Sequence, residues 1–337
     1  MSVTLKQVAN RAGVSPSTAA RILRGDVKGS QDRSARKVAD VIRASDELGY
    51  QPNWKAAALS RGKTHSIGLL FSEPEWIFGD PTNEIAVAFT RGLQRRGYDL
   101  RLIPCSSSDN EWERLVLGGA LDGVAFLLEP PSEAVLEAVR KAKLPTLSMG
   151  IDACEARVMP DDARGAYAAT RHLISLGHER IDFYVETEIR DHVSVIERRE
   201  GYERAMREAG LGDQIEPLRC GIKHAVDRLL REERTTAVVA YSHFEGVQLA
   251  HSAWAHGISV PTDLSIIAFN DVSVAKYATP PLTIVDFDRQ EMGRIGADLL
   301  LDQIESDGDT SDGGTPAPVV MPQQLVIRGS TAPAKSA

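Results

Sequence analysis

Apolar and polar residues follow two different periods along the chain. The first part has helical spacing, as in Leu5, Val8 and Ala9, which follow a possible cap at Thr4 and precede Gly13. A second helix is expected from Ser15 or Pro16 to Arg24, and a third from 34 to 47. The residues expected to close a three-helix core from the third helix are Val38, Val41, Ile42 and Leu48. This spacing predicts a small all-α domain.

From residue 66 the pattern changes to short apolar runs separated by helical segments. Strands are expected at 66–71, 99–105, 123–128, 145–150, 180–185, 237–242 and 264–269, and a last strand around 325–331. Helices are expected at 83–96, 110–118, 132–143, 198–209, 223–232 and 246–256, with a crossover at 163–178. Alternating strands and helices indicate α/β architecture with open parallel sheets, and the length fits two doubly wound subdomains side by side. A ligand of such a pair is expected between them, at the carboxyl ends of the strands.

The two patterns are joined by "NWKAAALS", two turns of alanine-rich helix after Asn53. Helices shorter than ~12 residues are marginal in water, so this segment is expected to need a partner. The predicted organisation is a small helical domain at 1–50, a short helix and linker at 51–65, an α/β domain of two subdomains at 66–330 and a tail at 331–337.

Charge separates the same two regions. Residues 1–66 hold 12 Lys and Arg against 5 Asp and Glu, a net of +7, whereas the rest of the chain holds 27 basic and 42 acidic residues, a net of −15. This asymmetry favours a nucleic-acid-binding region on an acidic body over chance clustering on a solvated surface. The three cysteines are widely spaced and without CxxC, which predicts no disulfide framework and no metal site. No apolar run reaches the ~20 residues of a membrane span and no secretory signal is visible, so we expect a cytoplasmic protein.

The first two predicted helices, joined by a short turn at Gly13, indicate a helix-turn-helix. The second helix of such a unit enters the major groove through its N-terminal residues. Pro16, Ser17 and Arg21 are expected on its outer face, where Arg21 can pair with guanine and Ser17 with a base or phosphate. Two short helices can also be purely structural, but the outward arginine and the local charge favour DNA binding.

The chain resembles the lac and galactose repressor family of bacterial transcription regulators. The resemblance is carried by "VTLKQVANRAGVSPSTAARIL", "ELGYQPN", "LISLGHERIDF", "REGYERAMREAGL", "VPTDLSIIAFND", "PPLTIV" and "LVIRGST", over nearly the whole chain. It implies a periplasmic-sugar-binding fold that serves as effector sensor and dimeriser. It also implies that Leu59 of a hinge helix wedges into the operator's minor groove. The alternative for that segment is a plain linker. The chain departs from the family at Ala20 and Ala57, and its loop before the third helix is longer.

The residues expected to contact DNA combine the outer face of the second helix with the family's hinge positions. They are Thr4, Ser15, Pro16, Ser17, Thr18, Arg21, Tyr50, Asn53, Ala56, Leu59 and Arg61.

The effector site implied by the resemblance is built around Arg198, whose guanidinium offers five donors in a fixed fork. The alternative for Arg198 is a surface residue of a charged helix. Family matches also place Ser242 and Asn270 in the pocket, with atypical side chains, and His192 is placed to face the cleft. The full expected set is Trp76, Phe78, His192, Arg198, Ser242, Asn270 and Asp286.

These features predict a homodimeric repressor that binds a palindromic operator and responds to a small-molecule effector, expected to be a sugar or sugar derivative. No cofactor and no membrane partner are expected. A transport receptor would need a signal peptide and no DNA-binding domain, and an enzyme is disfavoured because GxSxG, HExxH, GxGxxG and GxxxxGK[ST] are lacking. A DNA-binding regulator that has lost its small-molecule response stays open as the alternative.

Overall fold

The computed structural model describes residues 3–23, 32–50, 63–72, 79–105, 111–186, 192–215, 221–230, 235–306 and 317–335. The chain divides into two compact units, with the boundary between Thr64 and His65. We call the first unit the head and the second the body.

The head contains three helices, α1 (Leu5–Arg11), α2 (Pro16–Leu23) and α3 (Asp32–Leu48). They enclose a core of Val8, Ala9, Ala19, Ile22, Val41 and Ala44. The turn after α1 contains Gly13 at φ +67°, a conformation that glycine adopts without strain. The expectation that Ile42 belongs to the core is wrong, because its side chain is 47% exposed. The inward face of α3 follows 38, 41, 44 and 48 at helical spacing, and Ile42 lies beside that face.

The first subdomain of the body is a parallel sheet covered by helices. Its strands are β1 (Ser66–Phe71), β2 (Asp99–Pro104), β3 (Gly123–Leu127), β4 (Thr146–Met149), β5 (Arg157–Pro160) and β10 (Val319–Met321), and its helices are α4 (Thr82–Arg95), α5 (Glu111–Leu117), α6 (Glu133–Ala142) and α12 (Arg289–Glu305). The strand order is β10-β5-β4-β3-β1-β2, and every pairing is parallel. Every residue of β1 is buried, as expected for a strand with helices on both faces.

The second subdomain repeats this arrangement. Its strands are β6 (Ile181–Tyr184), β7 (Ala237–Ala240), β8 (Ser265–Phe269), β9 (Thr283–Asp286) and β11 (Gln324–Val326), and its helices are α7 (Asp162–Ser175), α8 (Val193–Glu208), α9 (Ile222–Leu229), α10 (His243–Ala255) and α11 (Ser273–Lys276). The order is β11-β9-β8-β7-β6, in which only the β11 edge strand is antiparallel among the described pairs. The predicted pair of doubly wound α/β subdomains is confirmed.

The chain crosses between the subdomains three times. It passes from β5 to α7, returns from β9 to α12, and passes again from β10 to β11. Each subdomain is therefore built from segments that are distant in sequence. We call these three crossovers the hinge, because a relative movement of the subdomains would have to bend the chain there.

Several predicted boundaries differ from the observed ones. Helix α8 begins at Val193 rather than Arg198, because His192 caps it. Helix α10 begins at His243, directly after the Ser242 cap, rather than at Gly246. The elements β5, β9, β10, α11 and α12 were not predicted. Residues 331–335 are not a free tail, since the Ala334 amide donates to the Leu176 carbonyl at 2.8 Å.

Within the described ranges, no helix has the length and apolarity needed to cross a membrane.

Candidate functional site

The N-terminal end of α2 presents the outer face that the sequence predicted. Pro16, Ser17 and Arg21 are exposed, while Ala19 and Ile22 of the same helix are buried. The Ser15 hydroxyl caps the helix by accepting from the Thr18 amide at 3.2 Å. This cap holds the small polar side chains at the helix start, where a major-groove helix makes its base contacts.

Two further predicted DNA contacts have structural duties in the head. Thr4 caps α1 in a reciprocal arrangement, in which the Gln7 amide donates to its hydroxyl and Gln7 Oε1 accepts from its amide at 2.7 Å. Tyr50 packs against the three-helix core, and its amide donates to the Ser45 carbonyl at 2.9 Å. Asn53, Ala56, Leu59 and Arg61 of the predicted hinge lie outside the described residues.

A cavity of about 450 Å³ lies in the body between the two subdomains. Its wall is formed by residues that follow strands of both sheets, including Leu128 after β3, Gly150 after β4, Tyr241 after β7 and Asn270 after β8. In open parallel sheets the carboxyl ends of the strands form the crevice in which ligands bind. The site therefore lies where the sequence predicted it.

Arg198 lies in the cavity wall and is only 5% exposed, so the alternative of a surface arginine is wrong. Its Nε donates to Asp162 at 2.8 Å, and its Nη1 donates to the Tyr241 carbonyl. The guanidinium also lies over two aromatic rings, 4.0 Å from the centre of Phe269 and 4.7 Å from that of Tyr241. Two nitrogen atoms of the guanidinium thus donate hydrogen bonds within the protein. The ion pair with Asp162 neutralises most of the positive charge that Arg198 could present to a ligand.

His192 links the two subdomains across the cavity. Its Nε2 lies 2.9 Å from the Leu128 carbonyl, and its Nδ1 accepts from the Ser194 amide at 3.2 Å. The contact with the Leu128 carbonyl requires a proton on Nε2. Because Nδ1 accepts a hydrogen bond, it carries no proton, and the ring is the neutral tautomer protonated on Nε2. Burial lowers the pKa of His192, which also favours the neutral ring.

Ser242 and Asn270 also line the cavity, each in a constrained position. The Ser242 hydroxyl caps α10 by accepting from the Phe244 amide at 3.1 Å and donates to the Glu245 carboxylate. Asn270 has φ +73°, in the left-handed region where asparagine is tolerated better than most residues.

Of the remaining predicted effector residues, Asp286 alone lies in the described ranges. It is not part of the described cavity wall, and its carboxylate is held by Arg289 and by the Asp271 amide at 3.1 Å. Trp76 and Phe78 lie outside the described residues.

Several wall residues were missed in the sequence. Glu186 directly follows the predicted strand 180–185, so its position relative to a strand was a usable signal. Tyr241 lay inside the predicted strand 237–242, and Phe287 follows β9, which was not predicted. Glu245 lies in the first turn of α10, three residues after the Ser242 cap, and its carboxylate accepts from the Ser242 hydroxyl. Asp162 follows β5, a strand that was itself missed.

His243 is the wall residue with the most unusual environment. It is 2% exposed, and neither ring nitrogen has a partner of ordinary hydrogen-bond geometry among the described residues. Burial lowers the pKa of His243 to about 4, although Asp80 acts in the opposite direction. At neutral pH the ring is therefore uncharged.

No group of three or more His, Cys, Asp or Glu side chains within the described ranges is arranged to hold a metal ion.

Known proteins resemble both parts of the chain. Residues 4–53 match the family described as bacterial regulatory proteins, lacI family, and residues 170–331 match the periplasmic binding protein-like domain. The HTH-type transcriptional regulator CelR of Thermobifida fusca is 30% identical over 97% of this chain and 98% of its own length.

Two solved structures have the same fold over nearly the whole chain. The complex of transcriptional regulator CelR with cellobiose has a TM-score of 0.68 at 28% identity and covers 97% of this chain and 99% of its own. The lac repressor dimer bound to operator and the anti-inducer ONPF has a TM-score of 0.80, covering 98% of this chain and 100% of its own. At 22% identity, this second likeness concerns the fold alone.

Proposed function

Because the chain belongs to the lacI family of bacterial regulatory proteins, and is thus a DNA-binding transcriptional regulator and not an enzyme, we propose how it is controlled. It represses transcription by binding a palindromic operator as a homodimer, one head on each half-site. A small molecule of the sugar class, bound in the cavity, changes its affinity for the operator. The solved complex of the related regulator CelR with cellobiose supports the effector part, and the match of residues 4–53 to the lacI family supports operator binding.

The observation that carries the proposal is the cavity between the subdomains. Its volume of about 450 Å³ suits a sugar-sized molecule, and its wall combines polar groups with the apolar faces of Leu128, Phe244 and Phe287. A regulator without small-molecule response has no need of such a site. The cavity therefore favours effector control over the alternative in which response has been lost.

The three crossovers between the subdomains explain how a ligand in the cavity could affect the head. A ligand that contacts both subdomains favours one degree of closure about the three crossovers, and closure moves the first subdomain, which directly follows the head in sequence. The predicted hinge helix, with Leu59 as its minor-groove wedge, would respond to this movement, because two copies fold on DNA only when they are correctly spaced. We expect the protein to act on chromosomal DNA in the cytoplasm.

Selection of bound DNA from a random pool tests the proposal. The full-length protein is expected to recover a palindrome, and Arg21→Ala should weaken binding to that site by about 10- to 100-fold and relax the preference at one position of each half-site. Arg43→Ala is the control, since it removes the same charge from an exposed position of α3 that is paired with Asp40 at 3.1 Å. Binding by Arg21→Ala that matches wild type in strength and selectivity would contradict the docking of α2.

A further inference from the structure

Acidic side chains dominate the charged groups in the wall of the effector cavity. Asp80, Asp162, Glu186 and Glu245 all line it, whereas Arg198 is the basic residue that the described wall contains. Arg198 is already paired with Asp162 at 2.8 Å. Three carboxyl side chains thus face the cavity without a basic partner from the described wall.

Glu245 is the most enclosed of these three groups. It is 4% exposed, and the hydroxyl of Ser242 is its hydrogen-bond donor. Glu245 lies in the first turn of α10, where the helix dipole favours a negative charge by up to about 2 kcal/mol. That gain is smaller than the cost of enclosing a carboxylate, which is several kcal/mol. A buried carboxyl group without a cation is costly, which points to a positive group supplied from outside the chain.

Glu186 lies at the end of β6, on the same cavity. Its Oε1 accepts from the Tyr184 hydroxyl at 2.6 Å, and no basic side chain of the described residues pairs with it. Asp80 is exposed at another part of the wall. Nearby Arg289 does not compensate these groups, since it is committed to Asp286 and to Glu84.

His243 provides an independent sign that a ligand belongs in the cavity. Its ring is 2% exposed in the cavity wall, and its nearest backbone partner, Phe269, lies outside ordinary hydrogen-bond geometry. At least one ring nitrogen has no partner among the described residues. An unpaired buried polar atom is destabilising, so a ligand that pairs with it gains affinity. Being uncharged at neutral pH, the ring also leaves the negative charge of the wall unbalanced.

We propose that the effector is a cation, namely a polyhydroxylated amine of sugar size whose ammonium group is held by Glu245 and Glu186. This inference rests on the proposed function and narrows it to one chemical class. Ammonium–carboxylate hydrogen bonds are stronger than neutral ones, and their strength increases in an enclosed cavity. Anionic effectors such as sugar phosphates and uronic acids are excluded by the same charges.

The test compares sugars that differ in one group, using thermal shift and titration calorimetry on the full-length protein. The probes are glucose and galactose, their aminodeoxy analogues with the amine at the second, third or sixth carbon, the corresponding N-acetyl compounds, and glucose and galactose phosphates. At least one amine should bind about 10-fold or more tightly than both its hydroxyl and its N-acetyl counterpart. The phosphates should not bind.

Two variants locate the cation. Glu245→Gln keeps an acceptor for the Ser242 hydroxyl and should abolish the preference for the amine over its hydroxyl counterpart. Glu137→Gln removes a carboxylate from an exposed position of α6 and should leave that preference intact. Without any ligand, Glu245→Gln should also raise the melting temperature, because the uncompensated carboxyl group is gone, and Glu137→Gln should not.

The possible failures are distinguishable. If a neutral sugar or a phosphate binds as tightly as its amine counterpart, the cationic class is wrong and the proposed effector response stands. If no probe binds and Glu245→Gln leaves the melting temperature unchanged, the inference is overturned. Operator binding is measured in parallel, and its loss in the wild-type protein would contradict the proposed function itself.

Discussion

At the scale of single residues, the same side chain serves both the fold and the site. Arg198 stacks on Phe269, pairs with Asp162 and still lines the cavity. Asp162 in turn accepts from the Gln323 side-chain amide at 2.8 Å, in the crossover between β10 and β11. Replacement of either partner would therefore disturb the hinge as well as ligand binding, and these residues are poor choices for separating the two roles.

Glu197 offers a cleaner prediction at this scale. Burial, together with the charges of Asp162, Glu200 and Asp161, raises its pKa from 4.5 to about 7. The native state thus holds this proton more tightly than the unfolded chain, and the destabilisation from ionising Glu197 grows as pH rises from about 4.5 to about 7.

Glu197→Gln is therefore expected to stabilise the body by about 1–2 kcal/mol at about pH 8 and by much less at about pH 5. Urea unfolding at both pH values measures the effect, with Glu137→Gln as the exposed control. An equal gain at both pH values would show that ionisation of Glu197 is not the cause.

At the scale of elements, both subdomains use the same device to pack two helices closely. A Cβ at Gly201 of α8 would lie 2.0 Å from the Ala163 carbonyl oxygen on α7. A Cβ at Gly293 of α12 would lie 2.4 Å from the Ile85 carbonyl oxygen on α4. Both contacts are with backbone, which cannot move aside as a flexible side chain would.

Gly201→Ala and Gly293→Ala should each destabilise the body by about 1–3 kcal/mol or more, since the helices must separate to admit the methyl group. Gly212→Ala is the matched control, because its nearest neighbour, in the Arg207 side chain, would be 3.6 Å away. Thermal unfolding compares the three variants. A similar loss in all three would mean that close helix packing is not responsible.

Elements differed in how well the sequence predicted them. Strands such as β1, β3 and β8 are continuous apolar runs and were found within one or two residues. The strands β5 and β10 have only four and three residues. They pair with each other although they are distant in sequence, so no local pattern marks them. The helix starts at Val193 and His243 were missed because their caps, His192 and Ser242, become evident only in the folded chain.

At the scale of the whole molecule, head and body have separate cores. The described head core consists of residues from α1, α2 and α3, and it is small. Domains of this size bury little surface and are marginally stable, whereas the body has four extensive clusters of buried residues. The functions assigned from the sequence to residues 1–50, 51–65 and 66–330 remain predictions.

We expect Val41→Ala to lower the stability of the head by about 1–3 kcal/mol and to weaken operator binding, while the melting temperature of the body and its response to effector stay unchanged. Calorimetry of the full-length protein, followed by operator titration, measures both effects. The matched variant is Ile42→Ala, whose 47% exposed side chain contributes little to the core. A shift of the body's transition by Val41→Ala would contradict independent folding of the two units.

The sequence by itself determined the helix-turn-helix, the alternation of strands and helices, the separation of charge and the family, because each depends on neighbouring residues or on short motifs. Only the tertiary structure decided which side chains share the cavity. Arg198 meets Asp162 from 36 positions away and Tyr241 from 43, and the acidic wall brings together residues from Asp80 to Glu245. Such contacts arise because parallel strands deliver their carboxyl ends to one edge and the chain crosses the hinge three times. No periodicity within a segment records that arrangement, and it is what turned a site expected to hold a polar effector into one that favours a cation.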